Sequence, residues 1–322
     1  MKIQENKSIL MDDSMYRIKK ENDKREQKKI SNIFISTLQL MRIRQWPKNF
    51  FVLSGIFISF NIFNFKNIIN SIFAFFLFCC ISSSVYIIND IVDKEKDKLH
   101  PVKKLRPIPS GKVTIGYVLV FLVLLSGSTL YLSFMLNRNF GYIVVAYFIM
   151  NLFYSLKLKE FVLVDIIIIS TGFVLRTIAG ILVVDAGLSF WLLLSVAFLT
   201  LFLGVNKRKR EIITLKQERG KHRKNLSDYS IDLINEIVPM LTSCTIISYS
   251  FYVISETDFK LMIATIPVVL YGILRYQYLT SSKNYGENPE LVLLRDKPTI
   301  LTLLLMCLIY ISSIVLQGTF VF

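Results

Sequence analysis

The chain has 322 residues, 53% of them apolar, and 38 Lys and Arg stand against 23 Asp and Glu, a net charge of +15. Only 19% of the residues are charged, below the roughly 25% of soluble domains, and the apolar residues come in long blocks. This excludes a soluble enzyme, a disordered chain and a small disulfide-built module. The basic balance then becomes a matter of membrane orientation, not of nucleic acid.

Residues 1–30 mix both charge signs with few apolar positions and are expected to form a polar cytosolic tail. They contain no apolar core of a secretory signal. Residues 31–45, with Ile33, Phe34, Leu38, Leu40 and Met41, read as an interfacial helix leading into the membrane. Nine apolar spans follow, at 49–63, 68–88, 114–135, 139–156, 161–184, 188–205, 234–255, 259–280 and 298–320. A span needs about 20 residues. The first is short, so it either begins inside the interfacial stretch or lies partly buried. The pattern predicts an all-α integral membrane protein with nine transmembrane helices, residues 31–322 forming a single membrane-embedded catalytic domain.

Of the 38 basic residues, 33 lie in the N-terminal stretch up to Lys48 and in the loops at 89–113, 157–159, 206–224 and 283–297. Only Lys66, Arg138 and Lys260 fall on the other side, and Arg176 and Arg275 lie within spans. The positive-inside rule then places the N-terminus in the cytosol. Cys79, Cys80, Cys244 and Cys307 all sit in apolar runs and read as small buried residues, not as zinc ligands. His100 and His222 have no nucleophile arrangement beside them, and there is neither a Walker loop nor a dinucleotide fingerprint.

The segment with most chemistry is Asn89-Asp90-x-x-Asp93-x-x-x-Asp97, where the second span reaches the cytosol. Asp90, Asp93 and Asp97 recur at i, i+3 and i+7, one face of a helix. Such a stripe needs a counter-ion, and Mg²⁺, which takes oxygen ligands and shares them with phosphates, is the natural one. Lys94, Lys96 and Lys98 leave a solvated acidic face as the alternative. The loop Lys103-Lys104-Leu105-Arg106-Pro107 follows, suited to clamp phosphates or simply to fix orientation. A third patch, Asn151 to Glu160, precedes Asp165. Asp165 and Arg176 are three turns apart on one helix face, roughly 16 Å. Arg176 lies deep in an apolar run, where ionisable residues face a bundle interior or cavity. A fourth patch, Asn206-Lys207-Arg208-Lys209-Arg210-Glu211, follows the sixth span, and Trp46 opens the first as anchor or substrate wall.

The layout and the Asn89–Asp97 run resemble the UbiA superfamily of intramembrane prenyltransferases. Other strings resemble one branch of it, the decaprenyl-phosphate phosphoribosyltransferases. They are Gln45-Trp46-Pro47-Lys48-Asn49, Arg106-Pro107-Ile108, Tyr154 to Lys159, Asp165, Gly172 to Gly180, Lys207-Arg208, and Leu294 to Pro298. The resemblance implies a UbiA-like bundle whose central cavity opens to the cytosolic face of a bacterial cytoplasmic membrane. It implies Mg²⁺ on Asp90, Asp93 and Asp97, with Asn89 orienting a ligand or phosphate oxygen. It implies substrate contacts from Lys48, Arg106, Tyr154, Lys157, Lys159, Asp165, Arg176, Lys207 and Arg208. The implied reaction joins 5-phosphoribosyl 1-diphosphate to a polyprenyl phosphate and releases diphosphate, with the lipid tail in a groove between apolar helices. Typical superfamily members have a second aspartate-rich motif after the sixth span; here that segment, 206–211, is basic. Transfer of a prenyl group from its diphosphate to a small aromatic acceptor is the alternative on the same fold. A carrier would call for inverted repeats, and no clear repeat is present.

Overall fold

The structure, a computed structural model, describes residues 33–59, 64–100, 102–215, 226, 228–257, 260–282 and 296–319. The expected tail at 1–30, and His222, lie outside them. Helix α1 (33–40) stops at Arg42, whose backbone is left-handed at φ 49° and ψ 50°. A 3-10 helix, Ile43–Leu53, carries Pro47 inside it and runs into α2, Ser54–Ile58. Then come α3 (Phe65–Val92), α4 (Lys94–Lys98), α5 (Ile115–Leu136), α6 (Arg138–Leu156), α7 (Val164–Val183), α8 (Phe190–Leu215), α9 (Ile231–Glu256), α10 (Thr265–Ser282) and α11 (Lys297–Thr319).

Among the described residues, eight helices are long and apolar enough to cross a membrane. They match the second to ninth expected spans to within a few residues, except that the sixth runs on ten residues past its expected end at 205. Four of them are started by side-chain caps: Asn64, Thr114, Asn137 and Ser230 each accept a first-turn backbone N–H of α3, α5, α6 and α9, satisfying donors that have no partner within the helix. The first expected span is a different object. Arg42 touches Asp90 near one end of α3, Asn49 bonds Ser82 further in, and Gly55 lies against Gly180 near the far end of α7. Residues 42–58 therefore descend beside α3 and α7 as a broken ninth crossing. A Cβ on Gly180 would stand 1.8 Å from the Val52 carbonyl oxygen, and one on Gly55 2.1 Å from that of Gly180. Only glycine permits this approach.

Helix α3 packs against α5, α6, α7 and the 3-10 helix, while α8 packs against α7 and α9, and α10 against α11. The apolar window of α3 is 61% buried and that of α11 11%, so α3 is central and α11 peripheral. One apolar cluster joins Val52, Phe78, Phe140, Val144, Tyr147 and Ala179; another joins Ile166, Phe202, Val238, Ile273 and Tyr276. One expectation is corrected: residues 206–215 are no loop but the last turns of α8. Their Lys, Arg and Glu are good helix formers, so the helix continues past its apolar part.

Candidate active site

The acidic stripe does not run down one continuous helix. Helix α3 ends at Val92, Asp93 takes φ −90° and ψ 6°, and α4 restarts at Lys94. The break sends the carboxylates two ways. Asp90 and Asp97 are buried and converge on one nitrogen of Arg106, which donates to Asp90 Oδ1 at 2.9 Å and to Asp97 Oδ2 at 2.7 Å. Asp93 instead accepts from Lys159 Nζ at 2.7 and 2.8 Å, and the same ammonium reaches Asn89 Oδ1 at 3.2 Å. Arg42 adds a second guanidinium to Asp90 Oδ1 and lies 5.0 Å over the Tyr86 ring; Lys103 stands 3.7 Å from Asp97. Three carboxylates thus face four cations from three separate segments.

This set fits a hard divalent cation in part. All its donors are carboxylate or amide oxygens, the ligands Mg²⁺ prefers. Asp90 and Asp97 already share one cationic point. Among the described residues, no three His, Cys, Asp or Glu side chains are gathered closely enough to hold an ion by themselves. The remaining ligands would come from water and substrate, the usual arrangement for Mg²⁺.

Asp165 and Arg176, on one face of α7, go to different partners. Asp165 is fully buried in the first turn of α7. Its Oδ2 accepts from Arg208 Nε at 2.9 Å and its Oδ1 from the Tyr229 hydroxyl at 2.8 Å. Arg208 also reaches Glu211, and Tyr229 accepts from the Leu163 backbone N–H at 2.8 Å. Leu163 has a positive φ of 65° with ψ −40°, so this bond secures a strained turn. Burial and the Asp165 carboxylate push the Tyr229 phenol well up, which keeps it a donor.

Arg176 is held by neutral groups. Its Nε donates to Asn49 Oδ1 at 2.7 Å, and its terminal nitrogens donate to the Gly172 carbonyl at 2.8 Å and the Tyr147 hydroxyl at 2.7 Å. The rings of Tyr147 and Phe173 lie 4.7 and 5.2 Å from the guanidinium carbon. Asn49 comes from the broken crossing, so Arg176 stitches that segment to α6 and α7. The other expected contacts lie around these clusters. Lys48 and Tyr154 are half-buried on the 3-10 helix and α6, Lys157 is exposed just after α6, and Lys207 is half-buried beside Arg208. Arg42, Tyr147 and Tyr229 are additions to the sequence reading. Arg42 had been counted only toward orientation, and nothing local marks either tyrosine.

The profile of the UbiA prenyltransferase family matches residues 49–295. A decaprenyl-phosphate phosphoribosyltransferase of Mycolicibacterium smegmatis is 30% identical over 282 residues, 83% of this chain and 88% of that protein. The enzyme of the same name from Corynebacterium glutamicum is 30% identical over 86% of this chain and 85% of its own. A UbiA homolog from Archaeoglobus fulgidus, solved with GPP and Mg²⁺, superposes with a TM-score of 0.68 at 16% identity, covering 87% of this chain and 99% of its own. The fold, the multi-pass membrane character and these sequence matches agree: the chain is an enzyme belonging to the UbiA prenyltransferase family.

Proposed function

We propose that the protein transfers the 5-phosphoribosyl group of 5-phosphoribosyl 1-diphosphate to a polyprenyl phosphate at the cytosolic face of a bacterial membrane. The observation that carries this reading is the 30% identity, over more than four-fifths of the chain, to enzymes named for that transfer. The geometry supports it. Asp90, Asp97 and Asp93 would hold Mg²⁺ together with diphosphate oxygens. The ion would supply Lewis-acid stabilisation of charge on the departing diphosphate. Arg106, now between two carboxylates, and Lys159, now on Asp93 and Asn89, would turn to the phosphate oxygens as the ion takes their place. Asn89 would then orient a phosphate or water.

A lipid phosphate oxygen attacks C1 of the ribose, and the bond from C1 to the diphosphate oxygen breaks. The attacking phosphate is already ionised near neutral pH, so no strong general base is needed. Lys48, Tyr154, Lys157 and Lys207 would line the approach of the two phosphates. Asp165, Arg208 and Arg176 would hold their helices in place around it. The basic 207–210 stretch of α8, where an aspartate-rich motif is typical, favours a substrate pair rich in phosphate over an aromatic acceptor.

The test is direct. Purified protein in detergent receives Mg²⁺, labelled 5-phosphoribosyl 1-diphosphate and a polyprenyl phosphate, and label is sought in the lipid phase. Label in the lipid supports the reading. No transfer, with prenylation of an aromatic acceptor by the same preparation, would overturn it.

A further inference from the structure

Leu99, Val102 and Leu105 are 89%, 69% and 66% exposed. Leu99 is the most exposed large apolar side chain among the described residues. Exposed apolar groups along α3 or α5 face the bilayer and need no other partner. These three lie between the apolar spans Phe65–Val92 and Ile115–Leu136, so that account does not cover them.

The turn that carries them is tied down at the membrane boundary. On one side the backbone N–H of His100 bonds the Asp97 carbonyl at 3.2 Å. On the other, Arg106 reaches back to Asp90 in the last turn of α3, and Ile108 is buried with Ile87 and Val118. The chain thus leaves and re-enters the apolar zone within a short distance. The interfacial layer on each side of the hydrocarbon is roughly 5–8 Å thick, a depth such a tethered turn occupies. Its charge is mostly positive as well, although Lys98 bonds Glu95 at 2.8 Å and Lys103 faces Asp97 at 3.7 Å. Lys98, Lys103 and Lys104 flank the three apolar side chains, Lys104 exposed and Lys103 half-exposed. Apolar knuckles set among lysines at a membrane boundary match an anionic headgroup layer.

We propose that the Leu99–Leu105 turn docks into the headgroup layer of an anionic phospholipid leaflet. Leu99, Val102 and Leu105 dip below the headgroups, and Lys104 pairs with lipid phosphates. Because the turn runs from Asp97 to Arg106, docking holds the acidic cluster at the plane where lipid headgroups lie. The proposal needs only the membrane fold and stands whatever group the enzyme transfers.

The test uses the full chain, reconstituted into vesicles, with a photoreactive benzophenone residue at position 102 and, in a second protein, at position 99. One set of vesicles contains phosphatidylglycerol, the other phosphatidylcholine alone. Illumination is expected to give lipid adducts at both positions in the anionic vesicles. Adduct yield is expected to fall about fivefold in Lys104→Gln, the effect of one lysine at an anionic surface, and to fall at least as far in neutral vesicles. Adducts to a second copy of the chain would overturn the proposal. So would absence of lipid adducts, or equal yields in both kinds of vesicle.

Discussion

Replacing Asp165 by Asn keeps the shape of the side chain and removes its charge. In the folded chain the carboxylate is fully buried, between Arg208, itself 4% exposed, and the Tyr229 hydroxyl. The Asn oxygen can serve one of these donors, but its NH₂ must face the other donor. Removing one partner of a buried ion pair costs about 3–5 kcal/mol, because the other charge stays behind. Glu211 remains on Arg208, which places the cost at the lower end, about 3 kcal/mol. Tyr229→Phe removes one bond to a charged acceptor and orphans the Leu163 N–H, a smaller loss of about 2 kcal/mol. Unfolding by SDS titration in mixed micelles ranks them: Asp165→Asn below Tyr229→Phe below parent. Adding Arg208→Gln to Asp165→Asn should cost less than the two losses summed, since the orphaned charge is gone. If Asp165→Asn unfolds like the parent yet loses turnover, Asp165 meets the substrate and the strut argument fails.

Asp93→Asn should lower turnover more than about tenfold with an unchanged elution profile; near-normal activity would remove Asp93 from the metal set. Arg106→Gln frees Asp90 and Asp97 from their shared cation, so half-activation should need less Mg²⁺ while KM for the diphosphate donor rises. Gly180→Ala drives a methyl into the Val52 carbonyl oxygen and should cost at least about 2 kcal/mol, read as loss of monodisperse protein. Asp296 accepts from Arg275 and from Thr299 at the head of α11, and the Arg275 bonds hold its carboxyl down at about 2. A lowered folded value means the stabilisation is present above the ordinary value near 3.8 and is lost as pH falls through about 2. The stability gap between parent and Asp296→Asn should therefore stay constant from pH 8 to about 5 and close toward pH 2; a gap that closes near pH 6 would refute this.

The eight long helices were legible because span length and apolar blocks alone set them. The first crossing was legible only in part: its place and an early start inside the interfacial stretch could be read, but not that it begins at Ile43 as a 3-10 helix carrying Pro47. The three aspartates were legible as a stripe, but the break at Asp93, which turns one carboxylate toward Lys159, depends on cations brought in from elsewhere. Pairing was hidden by distance along the chain. Arg176 meets Asn49 across 127 positions and Asp165 meets Tyr229 across 64. Asp165 and Arg176 share one face of α7, yet each turns to partners from a different segment.

The neutral cage around Arg176 has a consequence for the membrane as a whole. Arg176 sits some 18 Å along α7 from its start, beyond the acidic mouth, and no carboxylate offsets its charge among the hydrogen bonds it makes. An enzyme that opens a polar site within a bilayer risks becoming a leak for protons and metal ions. A fixed positive charge at that depth raises the energy of any cation moving inward from the mouth, as arginines do in selective pores. If a divalent ion is held at the mouth, this charge would oppose its passage further into the bundle. Vesicles carrying Arg176→Met should lose a pH gradient faster than those carrying the parent protein.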